Sequence, residues 1–354
     1  MAQKKEIPAS VRAQLFAQAT RQHIQPMAAQ AGAEGSRVDF TLPKTRLLSK
    51  IRLAIRGSIN VKHDTLTKFN ADPFAPYTLI RNVRVEMNNG FSPFNISGKA
   101  LAMYNMLHDQ SLVFDRQESG RGRNVMGTAA ANGTGAANTF HFVVDLPIAL
   151  NERDPVGLIL LQNPETVVTV SVEFGNGSAV LAPGQTGFTA QMTNVTVIPS
   201  IETFSVPAVE QAFPDLGTLK LVQQGTHTAP GAGEQTVKLP TGTTYRKLIL
   251  FVENEAGGVQ DSFITSDLEL VFNQADIPYR VHPEVLAAIN QTHYGKALPQ
   301  GMYVFDFSAF QGLANYGGAR DHIDTERLTE FWARFSVAGA ATITAVYETL
   351  SHLR

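Results

Sequence analysis

Two stretches of this 354-residue chain repeat each other at a constant separation of 185 positions. Residues 83–88 and 268–273 carry apolar side chains at the same alternate positions, and both stretches end in Asn. A Pro-aromatic pair follows each of them, at residues 93–94 and 278–279. The remaining matches are Leu101-Ala102 with Leu286-Ala287 and Asn105 with Asn290. Each half of the chain is therefore predicted to contain a strand, a Pro-aromatic link and a short helix in the same order.

Farther along the chain the separation between matching residues falls to 163 positions. Phe140 and Phe142 match Tyr303 and Phe305, and the apolar positions of residues 168–174 match those of 331–337. The difference of 22 residues is extra chain in the first half. Residues 115–138, which are rich in Gly, Ala, Asn and Arg, are predicted to hold it as a long exposed loop. The pattern indicates one β-sandwich that has been duplicated, with a seam near residues 200–216.

The segments around these repeats alternate apolar and polar residues, as half-buried strands do. From Val38 onward the period is two, and turn signals such as Asn88-Asn89-Gly90 separate the segments. The predicted strands lie at residues 78–87, 139–146, 166–174, 188–197, 236–239, 248–252, 264–272, 302–307, 331–337 and 341–347. Within this body, helix is predicted at residues 98–108 and 283–292 alone. Strands that do not alternate with helices indicate an all-β sandwich class.

The strongest helix signal lies at residues 10–29, where Ser10 can serve as N-cap and Val11, Leu15 and Phe16 share helical spacing. Residues 1–25 hold one acidic side chain and four basic ones, which are Lys4, Lys5, Arg12 and Arg21. Such a basic amphipathic helix could lie on an anionic membrane surface, or its apolar stripe could dock on another subunit. The sequence leaves both possibilities open. Polar interruptions exclude a secretory signal, so the product is expected to stay in the cell that makes it.

The residue inventory excludes several kinds of site. Without any Cys, the chain can form no disulfide, thiolate metal site or catalytic thiol. A net charge of -2 gives no bulk electrostatic basis for binding nucleic acid. The nine His residues are scattered, and the acidic patch at residues 321–326 is interpreted as a solvated loop. We therefore predict no catalytic residues, no metal and no cofactor.

Three arginines in the extra segment form a small basic loop between glycines: Arg116, Arg121 and Arg123. Guanidinium groups bind carboxylates and phosphates with paired hydrogen bonds. We predict that this loop faces outward or contacts the carboxylates of a neighbouring subunit rather than nucleic acid. The alternative is a flexible solvated tip.

A short basic N-terminal helix, two tandem sandwiches and a large loop in the first half together resemble the double jelly-roll major capsid proteins. The resemblance is to the tectivirus type, the membrane-containing tailless double-stranded DNA bacteriophages. It rests on residues 10–29, on the windows 83–105 and 268–290, and on the strands within 140–174 and 303–337. It covers the whole chain by architecture, without any short signature motif.

The resemblance implies an all-β fold of two tandem eight-stranded jelly rolls with a short N-terminal amphipathic helix. The implied units are a helical arm at 1–35 and jelly rolls at 36–205 and 206–354. It further implies a pseudo-hexagonal homotrimer that tiles an icosahedral virion shell with neighbouring trimers, minor capsid proteins and vertex proteins. Lys4, Lys5, Arg12 and Arg21 would face the inner viral membrane. Such a protein is made in the host cytoplasm, is not an enzyme and makes no sequence-specific contact with nucleic acid.

Two other kinds of protein remain open at this point. A carbohydrate-binding or carbohydrate-cleaving tandem sandwich would need an exposed aromatic platform, and Trp332 is the only tryptophan. A receptor-binding fibre module of a phage would form ordered trimers that do not tile.

Overall fold

The computed structural model describes residues 9–88, 90–108, 127–131, 135–150, 156–214, 216–307 and 322–352. Its strands form two lobes, which follow one another along the chain. In the first lobe, strands β1 to β11 span Gln22–Pro26, Gln30–Gly32, Arg37–Thr41, Leu47–His63, Ile80–Met87, Phe91–Ile96, Ala130–Ala131, Ala136–Pro147, Ile159–Leu160, Val168–Phe174 and Thr189–Phe204. In the second lobe, strands β12 to β21 span Thr218–Ala229, Gly233–Leu239, Thr244–Asn254, Gly257–Gly258, Leu268–Phe272, Asp276–Val281, Met302–Asp306, Ile323–Asp324, Phe331–Val337 and Ala341–His352.

Three α-helices accompany the strands: α1 at Ala9–Ala19, α2 at Gly98–His108 and α3 at Pro283–Tyr294. Short 3-10 turns lie at Tyr77–Leu79, Gly177–Val180, Glu210–Ala212 and Asp261–Phe263. The helices α2 and α3 confirm the two helices expected within the body. None of the helices in the described ranges is long and apolar enough to cross a membrane.

Each lobe is a sandwich of two four-stranded layers. In the first lobe, β3-β10-β5-β6 packs on β11-β4-β8, and β1 and β2 together fill the place beside β11. In the second lobe, β13-β20-β16-β17 packs on β12-β21-β14-β18. Alternate residues of these strands are buried between the layers. One apolar core fills the first lobe and continues into the second-lobe residues of β12, β14, β18 and β21 that face it, and a separate core fills the second lobe. The expected pair of eight-stranded jelly rolls is therefore present.

Strand register confirms the duplication at residue level. Val83 pairs with Ile96 in the first lobe, and their counterparts 185 positions later, Leu268 and Val281, pair in the second. The pairing of β5 with β10 recurs between β16 and β20. Val85 lies opposite Val170 in the first lobe, and their counterparts Leu270 and Ala333 lie opposite each other in the second. Matching partners on both sides of a strand show that the two sandwiches share one topology.

The long central strands show the same correspondence at other separations. Lys50 lies opposite Glu202 between β4 and β11, and Lys247 lies opposite Glu348 between β14 and β21. A register irregularity follows immediately after both pairs. Residues of β4 therefore correspond to those of β14 at a separation of 197, and residues of β11 to those of β21 at 146.

This register corrects one match from the sequence. The separation of 163 matches Phe305 with Phe142 and Tyr303 with Phe140. In the structure Phe305 lies opposite Leu248, whose counterpart is Ile51, and Ile51 lies opposite Leu146. The true separation for this strand is therefore 159. Sliding a strand by four residues keeps every side chain on its face, so alternation alone could not exclude the error.

The N-terminal helix is shorter than the predicted 10–29. It ends at Ala19, and residues 22–26 and 30–32 instead form β1 and β2 along the edge of β11. Their partners lie far along the chain, as Gln22 pairs with Phe204. Hydrogen bonding to an existing sheet edge outweighs the local helical pattern of this segment.

Candidate assembly surfaces

The two lobes meet along a shared sheet, which we call the seam. Strand β6 of the first lobe pairs in parallel with β12 of the second, with Phe94 opposite Val222 and Asn95 opposite Gln223. The rings of Phe74 and Phe251 pack edge to face across the seam, with centroids 5.2 Å apart. A strand edge that would otherwise be open in each lobe is thereby covered.

Helix α2 is held inside this seam. Ala100, Met103 and Tyr104 are at most 1% exposed, although they lie on successive turns of one helix. At its N-terminal end, Lys99 forms an ion pair with Glu253 of β14, and its Nζ lies 5.0 Å from the ring centroid of Phe251. The helix of the first lobe thus contacts the second lobe through Lys99 and Tyr104.

A buried polar cluster lies at the centre of the seam, around the carboxylate of Glu348, which is 3% exposed. The Tyr104 hydroxyl donates to this carboxylate, and Arg246 Nε donates to its Oε1 at 3.1 Å. Lys220 Nζ lies in the same region and donates to the carbonyl oxygen of Ala149 at 2.8 Å. Burial, reinforced by the charge of Glu348, raises the pKa of Tyr104 well above its usual value.

Burial lowers the pKa of Lys220 from 10.5 to about 8, although the nearby Glu348 carboxylate acts in the opposite direction. Between these two values the unfolded chain binds more protons than the folded one, so the free energy of unfolding rises with pH. Lys220 should therefore contribute a rise of roughly 3 kcal/mol between pH 7 and pH 10.5. Urea unfolding across this range should show a slope in the parent chain that Lys220→Met removes. Parallel pH profiles for the two chains would contradict the expectation.

A cleft of about 470 Å³ opens beside the seam. Its lining is mostly apolar and includes Phe74, Phe251 and Pro299. Its charged residues are Asp72, Lys99 and Glu253, of which Lys99 and Glu253 form an ion pair. Within the described part of the chain, no three His, Asp or Glu side chains come close enough together to hold a metal ion. In the acidic patch, the Asp324 carboxylate accepts the backbone N–H of Glu326 at 2.9 Å, which is a local turn.

The N-terminal helix docks on its own chain. Phe16 is 4% exposed and packs with Leu47, Ala149 and Leu158, while its ring lies 5.4 Å from that of Phe204. This contact buries Phe16 of the predicted apolar stripe within the chain itself, whereas Val11 of the same stripe stays 43% exposed.

Of the four basic residues predicted in this arm, the structure describes two. Arg12 lies half-buried on α1, and Arg21 is exposed just before β1, where its backbone N–H donates to Ser205 Oγ at 2.9 Å. Lys4 and Lys5 lie outside the described residues.

The extra segment of the first lobe is less of a loop than the sequence predicts. Residues 130–131 form β7, which pairs in parallel with the end of β4 at Lys62 and His63, and β8 already begins at Ala136. The three loop arginines, Arg116, Arg121 and Arg123, lie outside the described residues.

Trp332 does not form the exposed platform that a glycan site would need. It is half-buried on the outer side of β20, between its register partners Lys238 and Val271. Its neighbours Phe331 and Phe335 point inward and are at most 1% exposed.

Large apolar side chains remain exposed on the two flanks away from the seam. Val285 and Ile289 of α3 are 51% and 39% exposed, and Ile24 of β1 is 64% exposed. The inner side of α3 is fixed, because Asn290 Nδ2 donates to the carbonyl oxygen of Val304 at 2.8 Å. The sequence alone does not predict this exposed surface. The 185-residue repeat aligns Val285 with Ala100 and Ile289 with Tyr104, but it does not show which of the two helices is covered.

Two sandwiches of equal topology, joined through one sheet, define a double jelly-roll fold. Three solved structures share this fold over nearly the whole chain. The STIV MCP superposes with a TM-score of 0.67 at 16% identity, covering 94% of this chain and 97% of that chain. The Faustovirus major capsid protein gives 0.57 at 9% identity, with 95% and 90% covered. The major capsid protein of bacteriophage PM2 gives 0.54 at 12% identity, with 94% and 98% covered.

No family model matches the sequence, and no curated protein matches it either. The similarity to these capsid proteins is therefore a similarity of fold, at 9% to 16% sequence identity.

Proposed function

We propose that this chain is a major capsid protein that builds a virion shell by self-association and has no catalytic role. The observation that carries this proposal is the duplicated jelly roll, which the STIV MCP, the Faustovirus major capsid protein and the major capsid protein P2 of bacteriophage PM2 share over nearly their whole length. A fold alone does not fix function. Here two exposed flanks on opposite sides of the chain add a surface suited to self-association.

The proposed unit is a homotrimer of pseudo-hexagonal outline. Because one chain supplies two lobes of the same topology, three chains place six similar lobes around a threefold axis. A six-sided tile can pack against identical neighbours and build the flat faces of an icosahedral shell. Low charge also fits large interfaces, since only 17% of residues are charged against about 25% in typical soluble domains.

Negative-stain electron microscopy of the concentrated protein tests this function. We expect hexagonally packed sheets or closed shells made of compact three-chain units. Isolated trimers that never tile at any concentration would favour a receptor-binding module instead, and clear hits on a glycan array that Trp332→Ala abolishes would favour carbohydrate binding.

We further propose that the shell lies over an internal membrane, as the tectivirus resemblance implies, and that the N-terminal arm faces it. Lys4, Lys5, Arg12 and Arg21 would supply the contact, while Phe16 keeps the arm attached to its own lobe. Each basic residue near an anionic surface contributes about 1 kcal/mol, and many arms on one shell add through multivalency.

Vesicle flotation measures this contact. Changing all four basic residues to Gln should weaken binding to phosphatidylserine vesicles on the order of a thousandfold, because about 4 kcal/mol of attraction is lost. Changing only Arg12 and Arg21 should retain about half of that attraction. A matched variant with the exposed residues Lys68, Arg81, Lys238 and Arg327 changed to Gln should bind as the parent does. Equal losses in both variants would contradict a specific role for the arm.

The remaining parts of the proposal concern other surfaces. Residues 115–126, with Arg116, Arg121 and Arg123, would face outward or contact a neighbouring subunit, and minor capsid and vertex proteins would complete the shell. The units 1–35, 36–205 and 206–354 would be the arm and the two jelly rolls. The protein would be made in the host cytoplasm and would reach the virion without sequence-specific binding to nucleic acid.

A further inference from the structure

The duplication provides a template for what covers the open flanks. Each residue of the seam has a counterpart in the other lobe, and several of these counterparts are exposed apolar residues. Ala100 and Tyr104 are 1% exposed inside the seam, whereas their counterparts Val285 and Ile289 are 51% and 39% exposed. Exposed apolar side chains that form a contiguous patch are typical of a surface that binds another protein.

The strand edges repeat the same relation. Val222 lies opposite Glu348, and Ile24 lies opposite Glu202, so Ile24 is the counterpart of Val222. Val222 is 0% exposed because β6 covers it, whereas Ile24 is 64% exposed. In the described ranges, β1 pairs with β11 alone and β17, the counterpart of β6, pairs with β16 alone. Both flanks therefore end in an open strand edge.

Charges on the two flanks are complementary. The seam contains the ion pair between Lys99 and Glu253. The counterpart of Lys99 is Glu284 on α3, and that of Glu253 is Arg56 on β4, so the pair recurs with its signs exchanged. Both residues are exposed, and neither has an ion-pair partner within the described part of the chain.

The polar centre of the seam is also compatible with a repeated contact. Tyr104, which donates to Glu348, is replaced by Ile289, which has no donor. The counterpart of Glu348 is Glu202, and its carboxylate is already bound by Arg52 at 2.9 Å and by Gln22 at 3.3 Å within its own lobe. An apolar side chain at this place therefore leaves no buried carboxylate unsatisfied.

We propose that each copy docks α3 and β17 on the β1 and β4 flank of the next copy, reproducing the seam between chains, with Glu284 of one copy paired to Arg56 of the next. Strand β17 then extends the sheet at β1, with Tyr279 beside Ile24, as Phe94 lies beside Val222. Such a head-to-tail contact closes into a ring of three chains when the rotation from each lobe to the next is one sixth of a full turn. This assignment rests on the proposed homotrimer and names the residues that form it.

Charge reversal in the full-length chain tests the pairing. Glu284→Arg and Arg56→Glu should each raise the concentration at which half of the trimer dissociates by about tenfold or more, because like charges then face each other. The double variant restores opposite charges at every interface and should return to within about threefold of the parent. Sedimentation velocity gives these values, and Glu234→Arg and Arg81→Glu, on other exposed strand positions, serve as matched controls.

Cross-linking gives a second and independent measurement. The chain contains no cysteine, so Ile24→Cys with Tyr279→Cys introduces a single possible pair. Neighbouring strands hold paired Cα atoms at a distance that a disulfide spans. Oxidation should produce covalent dimers and trimers on a denaturing gel, and each single-cysteine chain should produce no trimer.

The outcomes separate this inference from the proposed function. A parent chain that is trimeric, insensitive to both charge reversals and not cross-linked would overturn the assigned contact and leave the capsid function standing. A parent chain that stays monomeric at every concentration would overturn both.

Discussion

Alanine in place of Glu348 is expected to lower the free energy of unfolding by about 3–5 kcal/mol. The substitution removes the buried carboxylate that accepts from Arg246 Nε, and it leaves the half-buried Arg246 guanidinium and the buried Lys220 amine without its negative charge. It also removes the acceptor of the Tyr104 hydroxyl, which is itself 1% exposed. Chemical unfolding of the purified chain, followed by circular dichroism, measures the loss.

Two further variants show whether the loss comes from the buried charge. Glu348→Gln keeps the size and an acceptor oxygen, so it should cost less than Glu348→Ala. Glu234→Ala removes an exposed carboxylate from β13 in the same lobe and should change the free energy of unfolding by less than about 0.5 kcal/mol. A loss for Glu348→Ala as small as that of the exposed control would show that the seam does not depend on its polar centre.

Alanine in place of Phe331 should destabilise the second lobe by about 3–5 kcal/mol. The Phe331 ring is 0% exposed and packs edge to face on Tyr245 at 5.0 Å and on Phe272 at 5.2 Å between centroids. The cavity would open at the centre of a core that is separate from that of the first lobe. Hydrogen exchange should therefore show faster opening of β14, β16 and β20 than of β4 and β11.

Trp332→Ala is the matched control, since Trp332 is the next residue of the same strand and lies half-buried on its outer side. It removes a larger side chain but less buried area, so its cost should be clearly smaller than that of Phe331→Ala. Uniform acceleration of exchange in both lobes would indicate one cooperative unit instead of two cores.

Much of the fold follows from local pattern. Alternation predicts the strands, and the 185-residue repeat predicts that β5, β6 and α2 recur as β16, β17 and α3. The errors lie where distant partners decide the structure. Residues 22–26 carry a helical pattern but become β1, because they pair with the edge of β11, which lies 174 to 182 positions farther along the chain and is not visible to a local pattern. The match of Phe142 with Phe305 fails because a slide of an even number of residues keeps the alternation intact.

The assembly surfaces were harder to predict, since the sequence does not show which face of a helix another element covers. Helices α2 and α3 align residue by residue, yet the seam buries Tyr104 and leaves Ile289 exposed. Glu284 takes the place of Lys99, and Arg56 takes the place of Glu253. The second correspondence follows only from the strand register that aligns β4 with β14. The charge of the N-terminal arm is visible in the sequence. Its attachment through Phe16 is not, because the residues that Phe16 contacts are distant along the chain.

Cryo-electron microscopy of the purified, intact chain tests most directly whether a duplicated sandwich is used to build a six-sided tile. We expect particles of three chains in which six lobes surround a threefold axis, and in which the boundary between chains resembles the seam within each chain. Particles of a single chain, or assemblies whose boundaries between chains bear no relation to that seam, would contradict the account.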